Sequence, residues 1–264
     1  MSLTAKNISV TLAGKTILSR VSVTLPTAQC TAIIGTNGAG KSTLLRALAG
    51  ILPVTNGEVL LDGQNIGQIK RRMLAQRLAI LPQTNNAPPD LTVERLVGYG
   101  RFPYRKWWGN DAKGERYAVE RVLKQTKMYE LREREVNTLS GGERQRAWLA
   151  MALAQLDTGG QTVGTTKFLL LDEPTTYLDI SHQIEVLNTI RAVQIEQRIT
   201  TVMVMHDLNH ALRYADEVLL IHNAGIYRQG KPANILTPEL LKEIFSVKAD
   251  VFYNQGGESV LGFS

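Results

Sequence analysis

One short stretch of the sequence combines the residue types that hold a nucleotide phosphate. The stretch GTNGAGKS follows an apolar run, CTAII, and precedes a helical pattern. Gly35, Gly38 and Gly40 would let the backbone wrap closely around phosphates and turn successive N–H groups inward. Lys41 would place a positive charge at the outer phosphates, and the Ser42 hydroxyl would be a ligand to Mg²⁺. This spacing between a strand and a helix predicts a phosphate-binding loop.

A pair of carboxylates lies at the end of a later apolar run. FLLLDE, Phe168 to Glu173, predicts a buried strand that ends in two acidic residues. Ligands bind at the carboxyl edge of parallel sheets. Asp172 would hold Mg²⁺ directly or through water, and Glu173 would polarise the water that attacks an outer phosphate. An ordinary acidic turn before Pro174 is the alternative, and the phosphate loop upstream favours the catalytic interpretation.

A third stretch predicts a second anion site. LSGGERQRAWLAMA, Leu139 to Ala152, begins as a helix that Ser140 can cap, with two glycines in its first turn. A bare helix N-terminus attracts anions because its N–H groups have no partner within the helix and its dipole is positive there. The sequence therefore carries two candidate phosphate sites about a hundred residues apart.

Short apolar strands alternate with helices around these motifs. Strands are predicted at CTAII, KFLLLDEP, RITTVMVMHD and DEVLLIHNAGI, and helices from Lys41 to about Ala49, from Ile180 and from Leu208. This alternation predicts a mostly parallel sheet covered on both faces. Two runs near the N-terminus, NISVTLAGKTIL and SRVSVTL, predict an antiparallel edge of short strands. From a proline-rich hinge near residue 85 to Asn137, a charged helical pattern predicts a helical insert.

The composition predicts a globular, cytoplasmic protein. The chain has 264 residues, of which 44% are hydrophobic, enough for a substantial core. No apolar run approaches the ~18 residues that span a bilayer, and none near the N-terminus is typical of a signal peptide. A single cysteine, Cys30, excludes a disulfide within the chain and predicts a buried thiol. The net charge of +6 could suit nucleic acid or an anionic membrane, but the basic residues are scattered in small groups, which favours a solvated surface.

Together these motifs resemble those of the ATP-binding cassette ATPases over nearly the whole chain. The phosphate loop matches the Walker A motif of that family, LSGGERQR its signature and LLLDEP its Walker B motif. Gln83 in ILPQ matches the Q-loop, Leu178-Asp179 the D-loop and His206 in MVMHD the switch histidine. The resemblance implies an α/β fold in which a P-loop NTPase core with a mostly parallel sheet carries an antiparallel β subdomain and a helical insert.

The resemblance also implies how the chain is organised. Residues 1–264 would form one ATPase domain. Its RecA-like core would comprise residues 1–84 and 157–264, with the antiparallel β subdomain at the N-terminus. A helical subdomain at residues 85–156 would carry the signature motif.

In this family two domains enclose two ATP molecules head to tail, so the signature of one copy contacts the ATP held by the other. The second anion site would therefore serve the partner's γ-phosphate, and ATP and Mg²⁺ are the implied cofactors. The resemblance implies that the nucleotide is bound by Gly35, Thr36, Asn37, Gly38, Ala39, Gly40, Lys41, Ser42 and Thr43, and that the partner's ATP is contacted by Leu139, Ser140, Gly141, Gly142 and Glu143. It implies catalytic roles for Glu173, His206 and Gln83, and a contact across the dimer interface for Asp179 of the D-loop. The implied Mg²⁺ ligands are Ser42, Gln83 and Asp172.

Two positions depart from the family pattern. Members often carry an aromatic residue in the N-terminal strand turn that stacks on adenine, and this chain has Leu12 there. Stacking would then be lost or come from another residue. Tyr177 is unusual in the D-loop, where small residues are common.

Three functions fit a cassette ATPase: the motor of a membrane transporter, a soluble factor in translation or DNA repair, and a nucleotide-binding regulator. A single cassette without heptad repeats or fused membrane spans favours the motor of an importer. VERLVGYGRFPY and LDISHQIEVL resemble the iron-chelate, haem and cobalamin group, and the loop from Asp157 to Lys167 resembles its haemin-import subgroup. The resemblance implies a bacterial importer of haem, with ferric siderophore or cobalamin as the alternative substrate.

The implied partners are a second copy of the chain, two integral membrane permease subunits and, indirectly, a periplasmic substrate-binding protein, with no nucleic acid. The chain would lie peripherally on the cytoplasmic face of the inner membrane. An aromatic cluster in the insert allows two interpretations: core packing, or a groove that receives a short cytoplasmic helix of the membrane subunit. The cluster consists of Tyr99, Phe102, Tyr104, Trp107 and Trp108.

Overall fold

The computed structural model describes residues 2–84, 86–105, 112–158 and 166–264. Its strands are β1 (Leu3–Leu12), β2 (Lys15–Leu25), β3 (Cys30–Gly35), β4 (Asn56–Leu61), β5 (Gln64–Asn65), β6 (Leu78–Leu81), β7 (Phe168–Asp172), β8 (Thr200–Val204), β9 (Glu217–His222), β10 (Gly225–Gly230), β11 (Ala249–Tyr253) and β12 (Ser259–Phe263). Its helices are α1 (Lys41–Leu48), α2 (Arg71–Ala75), α3 (Val93–Tyr99), α4 (Ala112–Gln125), α5 (Gly141–Leu156), α6 (Ile180–Gln197), α7 (Leu208–Tyr214), α8 (Pro232–Ile235) and α9 (Pro238–Phe245). Short 3₁₀ turns lie at Ile66–Gln68, Phe102–Tyr104, Tyr129–Leu131 and Val136–Thr138. The chain divides into two compact units, one formed by Met1–Gln68 with Thr200–Ser264 and the other by Ile69–Ile199.

Parallel strands form the centre of the first unit. β3 pairs in parallel with both β8 and β9, so that Ile33 lies opposite Val204 on one side and Leu219 on the other. β10 then pairs antiparallel with β9. All residues of β3 and β8 are buried, as expected for strands covered on both faces. The predicted parallel α/β arrangement is confirmed here, and Cys30 is a buried free thiol at the start of β3.

A separate antiparallel sheet, in the order β2-β1-β4-β5, covers the N-terminal part of the first unit. β1 and β2 form a hairpin in which Leu12 lies opposite Lys15. The turn between them is Ala13-Gly14, and both residues have positive φ, 46° and 78°. The run NISVTLAGKTIL is therefore not one short strand, because it crosses this turn. The predicted antiparallel edge is confirmed, but its two strands are longer than predicted, at 10 and 11 residues.

The second unit combines two parallel strands with the helices of the predicted insert. β6 and β7 pair in parallel with Leu81 opposite Leu171. α3, α4 and α5 follow β6 in the chain, and the end of α3 approaches α5 closely. A Cβ on Gly100 would lie 2.2 Å from the carbonyl oxygen of Met151, so only glycine fits there. The helical character of the insert is confirmed, whereas its proposed limits at residues 85–156 remain a prediction.

A buried arginine joins the insert to the C-terminal end of α5. Arg101 is 6% exposed, and its Nη1 donates to the carbonyl oxygens of Ala154, at 2.7 Å, and of Asp157. The last carbonyls of a helix have no partner within it, so this guanidinium satisfies them. Asp157, the first residue of the loop from Asp157 to Lys167, is itself buried and paired with Arg121. Residues 159–165 of that loop lie outside the described residues.

Across the described residues, no helix combines the length and apolar character that crossing a bilayer requires.

Candidate functional site

The phosphate loop connects β3 to α1 in the first unit, as the sequence predicts. Gly35, Gly38 and Gly40 all have positive φ, at 151°, 77° and 102°. A Cβ on Gly35 would lie 2.3 Å from the backbone oxygen of Ile221, so a side chain is excluded there by both backbone conformation and space. The three glycines therefore permit the tight wrapping that a phosphate-binding loop needs.

Lys41 turns back over this loop. Its side chain is buried, and its Nζ donates to the backbone oxygens of Gly35, at 2.9 Å, and Thr36, at 3.0 Å. The ammonium group is thus held against the loop backbone, where a bound phosphate would meet it. Ser42 follows in the first turn of α1, a helix with no acidic residue in that turn. The positive end of the helix dipole and the lysine charge consequently favour an anion at the same place.

His206 lies at the same edge of the first unit as the phosphate loop. β8 ends at Val204, and the next residue, Met205, donates its backbone N–H to the oxygen of Ile33 at 3.1 Å. His206 is therefore placed just beyond the strand that neighbours β3, and it is exposed. The structure brings together Lys41, Ser42 and His206 at the carboxyl ends of adjacent parallel strands, where ligands of α/β proteins bind.

The second unit brings the predicted catalytic carboxylate to the predicted Q-loop amide. Gln83 Nε2 donates to Glu173 Oε2 at 2.6 Å. The strand register explains this contact. Leu81 lies opposite Leu171 in the parallel pair, and Gln83 and Glu173 each come two residues after these partners. Glu173 has a φ of 54°, which is uncommon for a residue with a side chain. The chain turns sharply there at the end of β7.

Thr176 is a third member of this site, and none of the sequence motifs includes it. Its Oγ1 donates to Glu173 Oε2 at 3.0 Å, so the same oxygen accepts from both Gln83 and Thr176. The sequence does carry a signal for this contact, because EPTT places a hydroxyl three residues after the carboxylate. At that spacing a turn brings the two side chains close to each other. Three side chains thus form a hydrogen-bonded cluster that orients the candidate base.

Replacing Thr176 with alanine should slow ATP turnover while leaving ATP affinity unchanged. The substitution removes one of the hydrogen bonds that orient Glu173. The free energy that a hydrogen bond to a charged group contributes is enough to change a rate about tenfold, so turnover should fall by about that factor. Steady-state ATPase assays and ATP titrations would measure both quantities. Thr176→Ser, which keeps the hydroxyl, is the matched control and should retain most of the activity. Equal turnover in the alanine and serine variants would contradict the orienting role.

Each of the three predicted Mg²⁺ ligands carries an oxygen atom, one of them in the first unit and two in the second. Asp172 is a buried carboxylate, 1% exposed, at the end of β7, and Ser42 supplies a hydroxyl. Gln83 directs its amide nitrogen to Glu173, which leaves its amide oxygen as the donor for a metal. All three donors are oxygen atoms, the ligands that Mg²⁺ prefers.

The predicted helix start at the signature is confirmed in detail. Ser140 caps α5: its Oγ accepts from the N–H of Glu143 at 3.3 Å, and its own N–H donates to Glu143 Oε2 at 2.9 Å. This reciprocal pair is a capping box, and the bond from Ser140 lowers the pKa of Glu143. A serine oxygen that accepts as a cap still carries a hydrogen to donate. Ser140 can therefore cap its own helix and offer a donor to an anion.

Asp179 of the predicted D-loop caps the next helix, α6. Its Oδ1 accepts from the backbone N–H of His182 at 2.9 Å and from Ser181 Oγ at 2.8 Å. Together with a bond to the His182 side chain, these contacts lower the pKa of Asp179 to about 2, the backbone N–H of His182 contributing most. Asp179 is thus ionised at any physiological pH. The resemblance implies an interface role for Asp179 and gives no indication of this capping role.

The remaining predicted positions fall on the surface or outside the described residues. Tyr99 and Phe102 stack on each other at 5.6 Å and are 45% and 55% exposed, so core packing is wrong for this pair. Tyr104 is half-buried, its hydroxyl donates to the backbone oxygen of Gln155 at 2.9 Å, and burial raises its pKa to about 12. Trp107 and Trp108 lie outside the described residues.

The two unusual positions also have defined surroundings. Leu12 ends β1 beside the hairpin turn and is 41% exposed. Tyr177 has a φ of 65° and is 91% exposed. Nothing in the structure explains why a tyrosine occupies this strained, exposed position.

Comparisons with known proteins agree with this geometry. The family model described as ABC transporter matches residues 18–176, more than half of the chain. YusV of Bacillus subtilis (strain 168), an ATP-binding protein assigned to a siderophore transport system, is 45% identical over 89% of this chain and 82% of its own length. The hemin import ATP-binding protein HmuV of Bordetella parapertussis is 38% identical over 95% of this chain and 94% of its own length.

Among solved structures, an inward-facing ABC transporter assigned to the metal-chelate type superposes with a TM-score of 0.82 and 25% identity, covering 100% of this chain and 96% of the other. The α/β fold with its P-loop core is therefore shared along the whole length. The chain belongs to the ABC transporter family and is an ATPase of that family.

Proposed function

We propose that this chain is the ATP-hydrolysing motor subunit of an importer for an iron chelate. The observation that carries hydrolysis is the hydrogen-bonded cluster of Gln83, Glu173 and Thr176 at the carboxyl ends of two parallel strands. Two donors, Gln83 Nε2 and Thr176 Oγ1, orient this carboxylate, which would take a proton from the attacking water. The import function is supported by the full-length similarity to HmuV and YusV.

In the proposed reaction, Lys41 and the loop N–H groups hold the β- and γ-phosphates of ATP. Glu173 accepts a proton from the attacking water while the oxygen of that water bonds to the γ-phosphorus. The bond between the γ-phosphorus and the ADP oxygen breaks in the same reaction. His206 donates a hydrogen bond to the γ-phosphate. ADP and phosphate are the products. Ser42, Gln83 and Asp172 are the residues that would hold Mg²⁺, and the bound ion would offset negative charge on the phosphate oxygens.

We further propose that two copies close around two ATP molecules. Ser140 and Gly142 at the capped start of α5 would contact the γ-phosphate bound by Lys41 of the other copy. Closure would then last only while the γ-phosphate is present, because hydrolysis removes the anion that both copies share. Two membrane permease subunits would convert closure into transport from the cytoplasmic face of the inner membrane, with a periplasmic protein delivering the substrate.

The exposed aromatic pair supports a contact with the permease. Tyr99 and Phe102 stack on each other, and the Arg105 guanidinium lies 4.6 Å from the Phe102 ring. The backbone beneath them is fixed, because Arg72 Nε and Gln76 Nε2 each donate to the oxygen of Pro103 at 2.8 Å. A rigid apolar platform rimmed by cationic side chains suits a short amphipathic helix.

Replacing Phe102 with serine should uncouple transport from hydrolysis. The apolar contact with the permease helix is lost, whereas the catalytic cluster is untouched. We expect unchanged ATPase activity of the isolated subunit and about a tenfold loss of substrate-driven uptake in the assembled importer, the effect of truncating one well-packed anchor. Phe252→Ser is the matched control, because Phe252 is equally exposed, at 58%, but lies on the C-terminal hairpin. Equal effects of both substitutions on uptake would argue against the platform.

Haem is the substrate that we propose first, with a ferric siderophore as the second candidate. The similarity to HmuV supports haem as the substrate. The 45% identity to YusV supports a siderophore at least as strongly. Uptake of haem, a ferric hydroxamate siderophore and cobalamin should be compared in a strain that lacks this gene. Loss of haem uptake alone would support the haem proposal, and loss of another chelate would keep the motor and replace the substrate. Unchanged uptake of all three would contradict the importer proposal.

A further inference from the structure

The start of α5 lies directly against the start of α6 in the second unit. Gly142, in the first turn of α5, is buried. A Cβ added to it would lie 2.3 Å from Cδ2 and 2.7 Å from Cγ of His182. The imidazole edge thus fills the space that a side chain at residue 142 would need. Residue 142 must be glycine because of this contact. Its backbone conformation does not require glycine, since its φ is not positive.

Asp179 holds the His182 ring in this orientation. His182 Nδ1 lies 2.8 Å from both carboxylate oxygens of Asp179. Because the pKa of Asp179 is lowered to about 2, its carboxylate is ionised and can only accept. Nδ1 must therefore carry the hydrogen and donate it. The ring is fixed at its Nδ1 side by the D-loop carboxylate and at its Cδ2 side by the signature glycine.

A second contact joins the same two helices one turn further on. Arg146 is buried, and its Nη1 donates to Glu185 Oε2 at 2.5 Å. Arg146 is four residues after Gly142, and Glu185 is three residues after His182, so both contacts lie on facing sides of α5 and α6. Two contacts therefore join α5 to α6, and His182 provides the one at the phosphate-binding end of α5.

We infer that His182 is a positioning residue for the reaction of the partner copy. It holds the first turn of α5 so that Ser140 and Gly142 present their donors to the γ-phosphate bound by the other copy. This inference rests on the proposed ATP-closed dimer. The favourable field of a helix N-terminus falls off within its first turn, so a small rotation of that turn weakens the contact strongly.

His182→Ala tests the inference in two backgrounds. In Glu173→Gln protein, which should accumulate closed dimers, sedimentation in the presence of ATP measures dimerisation. In otherwise wild-type protein, turnover is measured across ATP concentrations. We expect about a tenfold weaker ATP-dependent dimer and a correspondingly lower kcat, the size expected when a contact group is misplaced by a fraction of an ångström. The affinity of the isolated chain for ATP, measured at concentrations where it is monomeric, and its thermal midpoint should not change.

Two further variants separate the parts of the contact. His182→Asn keeps a donor near the position of Nδ1 but lacks the ring, and it should dimerise as weakly as the alanine variant. His182→Phe keeps the ring and should recover part of the dimerisation. His210→Ala is the matched control, because His210 is also the third residue of a helix capped by an aspartate, Asp207, and lies far along the chain from the signature.

Each result of these experiments either supports or overturns the positioning role of His182. Weaker dimers and lower kcat for His182→Ala, with normal monomeric ATP binding and a normal control, support the inference. It is overturned if dimerisation equals that of the parent, or if ATP affinity and the thermal midpoint fall together, since that shows a merely structural role. Full recovery by His182→Asn overturns the role of the ring. A Glu173→Gln parent that forms no dimers with ATP overturns the proposed dimer itself, and the inference falls with it.

Discussion

Glu173→Gln should bind ATP normally but turn it over about 10²–10⁴ times more slowly, the usual loss when a general base is removed. Glutamine has the same shape as glutamate, and its Oε1 can accept the hydrogen bonds that Gln83 Nε2 and Thr176 Oγ1 donate to the carboxylate. It cannot take a proton from the attacking water. Because the γ-phosphate then persists, dimers closed by ATP should accumulate.

Three measurements check this prediction: steady-state ATPase activity, ATP affinity and the sedimentation coefficient with ATP. Glu120→Gln serves as the control, since Glu120 forms a surface ion pair with Lys124 in the same helix and should be dispensable. Turnover within a few-fold of wild type would remove Glu173 from the role of general base.

Lys41→Met should have the second largest effect, on ATP binding. Methionine has a similar length and suits the buried position, but it removes the only side-chain charge of the phosphate loop. Hydrogen bonds to charged groups contribute about 1.5–3 kcal/mol each, so the loss of two such bonds to phosphate oxygens should cost about 3 kcal/mol. That corresponds to about a hundredfold weaker ATP affinity.

Calorimetric titration with ATP would measure the loss. Lys15→Met, at an exposed position in the β1–β2 hairpin of the same unit, is the matched control and should bind ATP as the wild type does. The bonds from Nζ to Gly35 and Thr36 are also lost, so the loop itself should become less ordered. If Lys41→Met binds ATP within about threefold of wild type, a difference below 1 kcal/mol, the loop does not hold the outer phosphates.

Local features were predictable because their causes are local. The phosphate loop is contiguous, its glycines have the positive φ that the motif implies, and strand β3 and helix α1 flank it as expected. The Ser140 cap needs only residues 140 to 143. The runs NISVTLAGKTIL and SRVSVTL do not locate the hairpin turn at Ala13-Gly14, because an alanine with positive φ gives no clear turn signal in the sequence.

Contacts between distant segments could not be predicted in the same way. The resemblance put Gln83 and Glu173 in one site, but their 2.6 Å hydrogen bond depends on the register of β6 against β7, which a sequence does not specify when both strands are uniformly apolar. The same limit applies to Arg101, because scattered basic residues in the sequence favour a solvated surface. Arg101 is buried because two carbonyl oxygens at the end of α5 accept its hydrogen bonds.

The sequence by itself determined the family, the order of the motifs, and the α/β class, because these depend on residue types and short spacings. Only the tertiary structure decided that Tyr99 and Phe102 are exposed, that Gln83 bonds to Glu173, and that the His182 ring fills the space beside Gly142. Each of these depends on how two elements approach each other in space. That approach is set by the packing of many side chains together, and no short stretch of the chain encodes it.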